Sequence, residues 1–98
     1  MITILIADDE KLARNGIKFL LKREQEELEI LEAINGKDAA GILQKKQVDI
    51  LFSDIKMPYM TGLELAKAAR ELQPEIEIVI FSGYTKTSKF TLIETSLN

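Results

Sequence analysis

Several residues that can hold a metal ion or attack a phosphoryl group stand at the ends of apolar runs in this sequence. Asp8 and Asp9 directly follow the first apolar run, Asp54 follows the third, and Ser82 follows the fourth. If these runs are neighbouring strands of one parallel sheet, the side chains converge at the edge formed by the carboxyl ends of the strands. The spacing therefore predicts an acidic site with a hydroxyl group beside it.

Carboxylates that lie close together repel one another unless a cation neutralises them. The chain contains no cysteine and no histidine, so a metal ion would have oxygen ligands, and Mg²⁺, Ca²⁺ or Mn²⁺ are the candidates. A remaining carboxylate, such as that of Asp54, can then act as a nucleophile and form an aspartyl phosphate. The metal ion would offset charge on the incoming phosphoryl group, and Ser82 would hold one of its oxygens.

Each of these residues also has a structural explanation. Asp8 or Asp9 is a suitable N-cap for the helix that follows, and Asp54 taken alone is an ordinary turn residue. Ser82 followed by Gly83 is a weak signal. Their joint placement after three predicted strands favours a functional site.

The elements that must position these residues alternate between strand-like and helix-like segments. Such βαβαβαβ alternation implies parallel strands joined by right-handed helical crossovers, with helices on both faces of an open α/β sheet. Thr61 and Glu64 have the spacing of a capping box at the start of the third helix. The strand-like runs are residues 2–7, 28–33, 48–53 and 76–81, and helices are predicted at 11–22, behind Asn35-Gly36, and from Thr61 to Pro74.

Composition limits the functions that this chain can have. Its 98 residues allow one domain, and a net charge of −3 provides no basic field for nucleic acid. No apolar run approaches the roughly 20 residues of a membrane span, and the first residues lack the basic region of a signal peptide. A cytoplasmic location is therefore expected.

The order and spacing of four segments resemble the receiver domain of two-component response regulators. These segments are Ile4–Glu10, Asp49–Pro58, Thr61–Glu64 and Ile80–Tyr84. The resemblance extends from about residue 2 to residue 84. It implies a flavodoxin-like fold, in which the strands present here would have the order 2-1-3-4.

The resemblance also implies a role for each residue of the acidic site. Asp54 would accept a phosphoryl group from the phosphohistidine of a sensor histidine kinase. Asp9 and Asp54 would ligate Mg²⁺ directly, together with the backbone carbonyl of Lys56, and Asp8 would act mainly through water. Ser82 matches the hydroxyl position that senses the phosphoryl group. The chain would then be a phosphoacceptor and not an enzyme with a separate substrate.

The last part of the chain, residues 85–98, departs from the family pattern. A complete receiver continues through a fourth helix, a fifth strand that ends in Lys-Pro, and a last helix. None of these is recognisable here, and apolar residues spaced i, i+3, i+7 predict a single helix over residues 87–97 instead. We therefore predict one incomplete receiver domain over residues 1–98, without its fifth strand and last helix.

Three consequences follow from such an incomplete domain. The lysine that would pair with the phosphoryl group is missing, and Lys86 and Lys89 are poor substitutes because they lie on the segment that leaves the fourth strand. That strand would be an open edge, and the apolar face of the first helix would be uncovered. Self-association, as a homodimer or a domain-swapped oligomer, is the expected remedy.

Three functions compete. The leading prediction is a phosphoacceptor receiver, and the alternative is a truncated receiver that no longer switches and serves as a protein-binding or self-assembly module. A haloacid-dehalogenase-like phosphatase would require an Asp-x-Asp arrangement after the first strand, which Asp8-Asp9-Glu10 lacks. Ser82-Gly83-Tyr84 is common in receivers attached to AraC-type DNA-binding domains, and it is the one hint of an output.

Overall fold

The computed structural model describes residues 1–24 and 27–82, together with the backbone of residues 91–94. Strands and helices alternate along the chain as the apolar pattern predicts. The strands are β1 (Ile2–Ala7), β2 (Leu28–Ala33), β3 (Ile50–Asp54), β4 (Glu77–Ser82) and β5 (Thr91–Glu94). The helices within the described residues are α1 (Lys11–Glu24), α2 (Gly36–Lys45) and α3 (Gly62–Leu72).

The strands form one sheet in the order β2-β1-β3-β4-β5, and the first four are parallel. The predicted order 2-1-3-4 is therefore confirmed. Ala7 of β1 pairs with Ser53 of β3, which in turn pairs with Ile80 of β4. This register aligns the carboxyl ends of three adjacent strands at one edge, which we call the carboxyl edge. The opposite edge, where these strands begin, is the amino edge.

Alternate residues of β1 enter two separate cores, because successive side chains of a strand point to opposite faces. Leu5 belongs to a cluster with Leu43 of α2 and Leu65 of α3. Ile6 belongs to a second cluster with Ile17 of α1. Helices thus cover both faces of the sheet, as the α/β pattern requires.

The end of α3 departs from simple hydrophobic periodicity, in which Leu72 would continue the buried face of Leu65 and Ala69. Leu72 is exposed, and the next residue, Gln73, turns into the protein instead. The side chain of Gln73 accepts a hydrogen bond from the backbone of Val48 and donates to the carbonyls of Leu43 and Lys46. These polar contacts explain the difference, because hydrophobic periodicity says nothing about a buried amide.

The predicted helix over residues 87–97 is wrong where it can be checked, because a short strand is found there, which differs from the fifth strand ending in Lys-Pro that a complete receiver has. Residues 91–94 form β5, whereas the rest of the predicted helix, residues 87–97, lies outside the described residues. A short apolar run does not distinguish helix from strand by periodicity alone. β5 is also antiparallel to β4, because residues 83–90 are shorter than the crossover of about a dozen or more residues that a parallel strand requires.

The antiparallel direction of β5 has two consequences. Thr91, its first residue, pairs with Ser82 at the carboxyl edge, and Glu94, its last, pairs with Val79. β5 therefore ends at a distance from the acidic residues. A parallel fifth strand would instead end at the carboxyl edge, with its last side chains near them. In addition, β4 is paired on both sides, so its predicted open edge, one of the two features from which self-association was inferred, is absent. Self-association itself stays a prediction.

No helix among the described residues combines the length and the apolar composition that crossing a membrane requires.

Candidate functional site

The carboxyl edge brings together the acidic residues that the sequence predicts. Asp8 and Asp9 lie in the turn between β1 and α1, and Asp54 is the last residue of β3. One carboxylate oxygen from each of the three lies within 4.8 Å of the others. Asp8 and Asp54 are buried, and Asp9 is exposed. The cluster is thus open to solvent on the side of Asp9.

The carboxylate of Asp8 is only half satisfied by the protein. Its Oδ1 atom accepts a hydrogen bond from the backbone of Glu10 at 2.8 Å, whereas its buried Oδ2 atom has no hydrogen-bond partner in the part of the chain that the structure describes. Burial raises the pKa of Asp8 from 3.8 to about 6, and the charges of Asp54, Asp9 and Glu10 add to this, while the hydrogen bond from Glu10 opposes it. A buried carboxylate that is left in this state costs free energy unless a cation accompanies it.

Backbone contacts with β4 and α3 fix the position of Asp54. The amide of Lys56 donates to its Oδ1 atom at 3.3 Å. The amide of the next residue, Ile55, donates to the carbonyl of Phe81 at 2.8 Å, and the carbonyl of Ile55 accepts from the amide of Gly62 at 2.9 Å. The strand end that carries Asp54 is therefore held from two sides.

Gly62 permits this close approach of α3. A Cβ atom at this position would collide with the carbonyl oxygen of Asp54 and would lie only 2.9 Å from the Cα atom of Ile55. Thr61 precedes it as the N-cap, and Thr61 and Glu64 form the predicted capping box. The sequence prediction of this helix start is confirmed, and it places the first turn of α3 directly against the strand end of Asp54.

The loop between β3 and α3 contains a residue in an uncommon conformation. Tyr59 has a φ angle of 71°, in the left-handed region that non-glycine residues seldom adopt. Its side chain is exposed, and the amide of the next residue, Met60, donates to the carbonyl of Pro58 at 2.8 Å. The left-handed residue thus makes the tight turn that returns the chain to α3.

The two remaining predicted residues lie near the cluster. Ser82 ends β4 and is half-buried, and it follows Phe81, the residue that pairs with Asp54. Lys56 is exposed, and its amide contacts Asp54 as described above. The roles given to the hydroxyl of Ser82 and the carbonyl of Lys56 stay predictions. Gly83, Lys86 and Lys89 lie outside the described residues.

The chemistry of the donor set fits a hard divalent cation. All three side chains offer carboxylate oxygens, which are the ligands that Mg²⁺ and Ca²⁺ prefer. The buried Oδ2 atom of Asp8 lacks a hydrogen-bond partner among the described residues, and a bound cation with its waters would supply one. We regard the fit of this site to Mg²⁺ as good for these two reasons.

Sequence reasoning missed one residue beside the site. Arg14 of α1 is buried, and its guanidinium donates to the carbonyl of Asp8 at 2.7 Å. A signal was present, because Arg14 lies between Ala13 and Ile17 on the face of α1 that packs on the sheet. A charged residue at such a position must have partners in the fold.

A comparison with protein families places the chain. The family model described as "Response regulator receiver domain" matches residues 4–95. The chain belongs to the response regulator receiver domain family. The prediction from the four sequence segments is thereby confirmed, and so is the flavodoxin-like order of the parallel strands.

Three similar proteins illustrate the relationship. The sensory transduction protein LytT of Bacillus subtilis is 36% identical over 84 residues, which cover 86% of this receiver and 35% of LytT. The crystal structure of a two-component transcriptional regulator AraC from Clostridium phytofermentans has a TM-score of 0.77 at 34% identity, covering 87% of this receiver and 69% of that chain. A chain in the crystal structure of the histidine kinase ThkA in complex with the response regulator protein TrrA has a TM-score of 0.76 at 31% identity, covering 91% and 75%.

This receiver spans only about a third or less of the length of the curated relatives that it matches first. Their names therefore describe proteins that contain further regions.

Proposed function

We propose that this receiver is a phosphoacceptor switch, in which a sensor histidine kinase phosphorylates Asp54 in the presence of Mg²⁺. The observation that carries the proposal is the cluster at the carboxyl edge, where the buried carboxylate of Asp54 lies within 4.8 Å of the oxygens of Asp8 and Asp9. In open parallel sheets this edge is where ligands bind. The similarity to a chain in the ThkA–TrrA complex supports a histidine kinase as the partner.

The proposed reaction transfers a phosphoryl group without net oxidation or reduction. A carboxylate oxygen of Asp54 attacks phosphorus and forms an acyl phosphate. The bond between phosphorus and the imidazole nitrogen of the kinase breaks, and its electron pair returns to that nitrogen. The receiver would not turn over a separate substrate, so we do not class it as an enzyme.

Each residue of the site has a proposed part in this transfer. Asp8 and Asp9, with Asp54 and the carbonyl of Lys56, would hold Mg²⁺, which offsets the negative charge of the phosphoryl oxygens when it is bound. The amide of Lys56, 3.3 Å from Oδ1 of Asp54, orients the attacking carboxylate. The hydroxyl of Ser82 would donate to a phosphoryl oxygen at the neighbouring strand end. This contact would link the modification to β4.

The same proposal extends to the whole protein, whose response to phosphorylation would be the control of transcription. The similar structure from Clostridium phytofermentans is that of a two-component transcriptional regulator. We infer that phosphorylation of this receiver controls a region that binds DNA, while the receiver itself contacts the kinase.

The experiment that tests the proposal is the intact mass of the chain after incubation with acetyl phosphate and Mg²⁺. Wild type should gain one phosphoryl group, Asp54→Asn should gain none, and chelation of Mg²⁺ by EDTA should prevent the gain. Asp49→Asn is a matched control, because Asp49 lies just before the other end of the same strand, where its side chain accepts a hydrogen bond from the amide of Thr3 at 2.8 Å. This variant should be phosphorylated like wild type.

Two outcomes would contradict the proposal. An adduct on Asp54→Asn equal to that on wild type would show that another residue accepts the phosphoryl group. No adduct on folded wild type, at any concentration of Mg²⁺, would show that this cluster does not support the transfer.

A further inference from the structure

Arg14 connects the acidic turn to a strand that carries none of the clustered carboxylates. Its Nη1 atom donates to the backbone carbonyl of Asp8 at 2.7 Å, and its Nε atom donates to Oε1 of Glu32 on β2 at 2.9 Å. The side chain of Arg14 is only 10% exposed, whereas that of Glu32 is 34% exposed. Burial acts to raise the pKa of Glu32, but hydrogen bonds from Lys18 and Arg14 hold it below its usual value. Glu32 therefore stays ionised at neutral pH.

The main chain of Asp8 is tied to β2 on both sides. Its amide donates to the carbonyl of Ala33 at 3.1 Å. Its carbonyl is tied to the same strand through Arg14 and Glu32. The side chain of Asp8 remains directed into the cluster, where Oδ1 is bonded to the amide of Glu10 and Oδ2 is bonded to none of the residues described here. The guanidinium thus contacts the backbone of Asp8 and leaves its carboxylate to the site.

We propose that Arg14 is a positioning residue, which fixes the turn after β1 so that Asp8 and Asp9 lie at the right distance from Asp54 to bind a divalent cation. The inference rests on the proposed function, because it assigns a role toward the Mg²⁺ site. Groups that orient metal ligands without touching the metal typically change affinity by about 10- to 100-fold when they are removed. Arg14 acts here through the backbone that carries two ligands.

Lys18 provides a matched control for the ion pair. It lies on α1 one turn after Arg14 and donates to the other oxygen of Glu32 at 3.0 Å. Its ammonium is bonded to Glu32 and not to the turn that carries Asp8. Removing Lys18 therefore weakens the charge balance around Glu32 but keeps the contact to the acidic turn.

The first measurement is the dissociation constant of Mg²⁺ by isothermal titration calorimetry, on wild type, Arg14→Met, Arg14→Lys and Lys18→Met. We expect Arg14→Met to weaken Mg²⁺ binding by about tenfold or more, and Lys18→Met to stay within about twofold of wild type. Arg14→Lys should fall between them, because an ammonium lacks the fork that reaches two partners at once. Urea unfolding of each variant shows which of them are folded.

The second measurement does not depend on the metal. Amide hydrogen exchange in the metal-free protein reports on the amide of Glu10, which donates to Oδ1 of Asp8. Arg14→Met should speed exchange at this amide several-fold more than at amides in the middle of α2. Lys18→Met should leave the exchange at Glu10 unchanged.

The outcomes separate this inference from the proposed function. Wild-type affinity for Mg²⁺ in a folded Arg14→Met variant would overturn the inference and leave the phosphoacceptor role intact. Equal losses of Mg²⁺ affinity in Arg14→Met and Lys18→Met would also overturn the inference. They would show that the effect arises from the charge balance around Glu32. If wild type binds no Mg²⁺, the proposed function fails, and unchanged exchange at Glu10 would then reject the role of Arg14 as well.

Discussion

Both edges of the sheet contain acidic side chains, but the hydrogen-bond partners of these side chains differ between the two edges. At the amino edge, Asp49 accepts from the amide of Thr3 at 2.8 Å, and Glu29 accepts from the hydroxyl of Thr3 at 3.0 Å. Glu29 also forms an ion pair with Lys46 at 2.9 Å. At the carboxyl edge, the acids face one another, and no described residue bonds to the buried Oδ2 atom of Asp8.

The pKa values express this difference. Hydrogen bonds from Lys46 and Thr3 lower the pKa of Glu29 below its usual value, whereas burial raises the pKa of Asp8 to about 6. Charge at the amino edge is compensated within the protein and stabilises the fold. At the carboxyl edge, the raised pKa of Asp8 and its unbonded Oδ2 atom leave room for a ligand, and groups with such raised pKa values are typical of functional sites. The same kind of residue thus supports the fold at one edge and, in the proposed function, serves the site at the other.

The largest expected effect concerns the amino edge, where Gln73→Leu should lower the free energy of unfolding by about 2–4 kcal/mol. Gln73 is buried and bonds the amide of Val48 and the carbonyls of Leu43 and Lys46. Leucine fills a similar volume but satisfies none of these groups. Urea unfolding measures the loss, which should be the same at acidic and neutral pH because none of these groups titrates.

A loss below about 1 kcal/mol for Gln73→Leu would mean that water replaces the amide, since a buried group left unsatisfied costs at least that much. The stability of the protein would then depend less on the hydrogen bonds at the amino edge than we expect.

A smaller effect of opposite sign is expected at the carboxyl edge, where Asp8→Asn should stabilise the metal-free protein at neutral pH by about 1–3 kcal/mol. The pKa of Asp8 in the folded state, about 6, lies above its ordinary value of 3.8. The folded state therefore holds its proton more tightly, and wild-type stability falls as the pH rises from about 4 to above about 6. Asparagine removes that fall, because it carries no charge at any pH.

Urea unfolding over a range extended below this one measures the gain, which should vanish as the pH falls well below 3.8, where the carboxyl group becomes protonated in both states. Saturating Mg²⁺ should stabilise wild type more than Asp8→Asn. The metal should therefore cancel or reverse the difference in the free energy of unfolding between the two proteins. A variant that is less stable than wild type at neutral pH without metal would contradict the view that Asp8 is uncompensated.

The smallest effect is expected for Glu29→Gln at the amino edge. Glu29 lies at the surface, where ion pairs contribute little, so the loss of stability should be smaller than either of the changes above. Because the pKa of Glu29 is lowered in the folded state, its contribution is present at neutral pH and disappears as the pH falls below its ordinary value of 4.5.

A double-mutant cycle with Lys46→Met checks whether Glu29 acts through that ion pair. Additive losses would mean that Glu29 contributes mainly through the hydroxyl of Thr3. A gain in stability for Glu29→Gln at neutral pH would contradict the difference between the two edges, because it would show that the charge of Glu29 at the amino edge is not compensated either.

Much of the candidate site could be predicted from the sequence. Apolar runs that end in Asp8 and Asp54 reflect strands buried on both faces, and parallel strands present their carboxyl ends together. The capping box of Thr61 and Glu64 is a local pattern, and it formed as expected. Arg14 was not predicted because its partners are determined by the packing of α1 and β2 and not by local sequence. These partners are the carbonyl of Asp8 and the carboxylate of Glu32.

The sequence by itself determined the alternation of strands and helices, the acids at the strand ends and the membership of the receiver family. These features depend on periodicity and on local turn chemistry, which act over a few residues. Only the tertiary structure decided the direction of β5, whose short connection to β4 requires an antiparallel pair. It also decided which acids are compensated, because the pKa of a carboxyl group depends on burial and on partners that are distant in sequence.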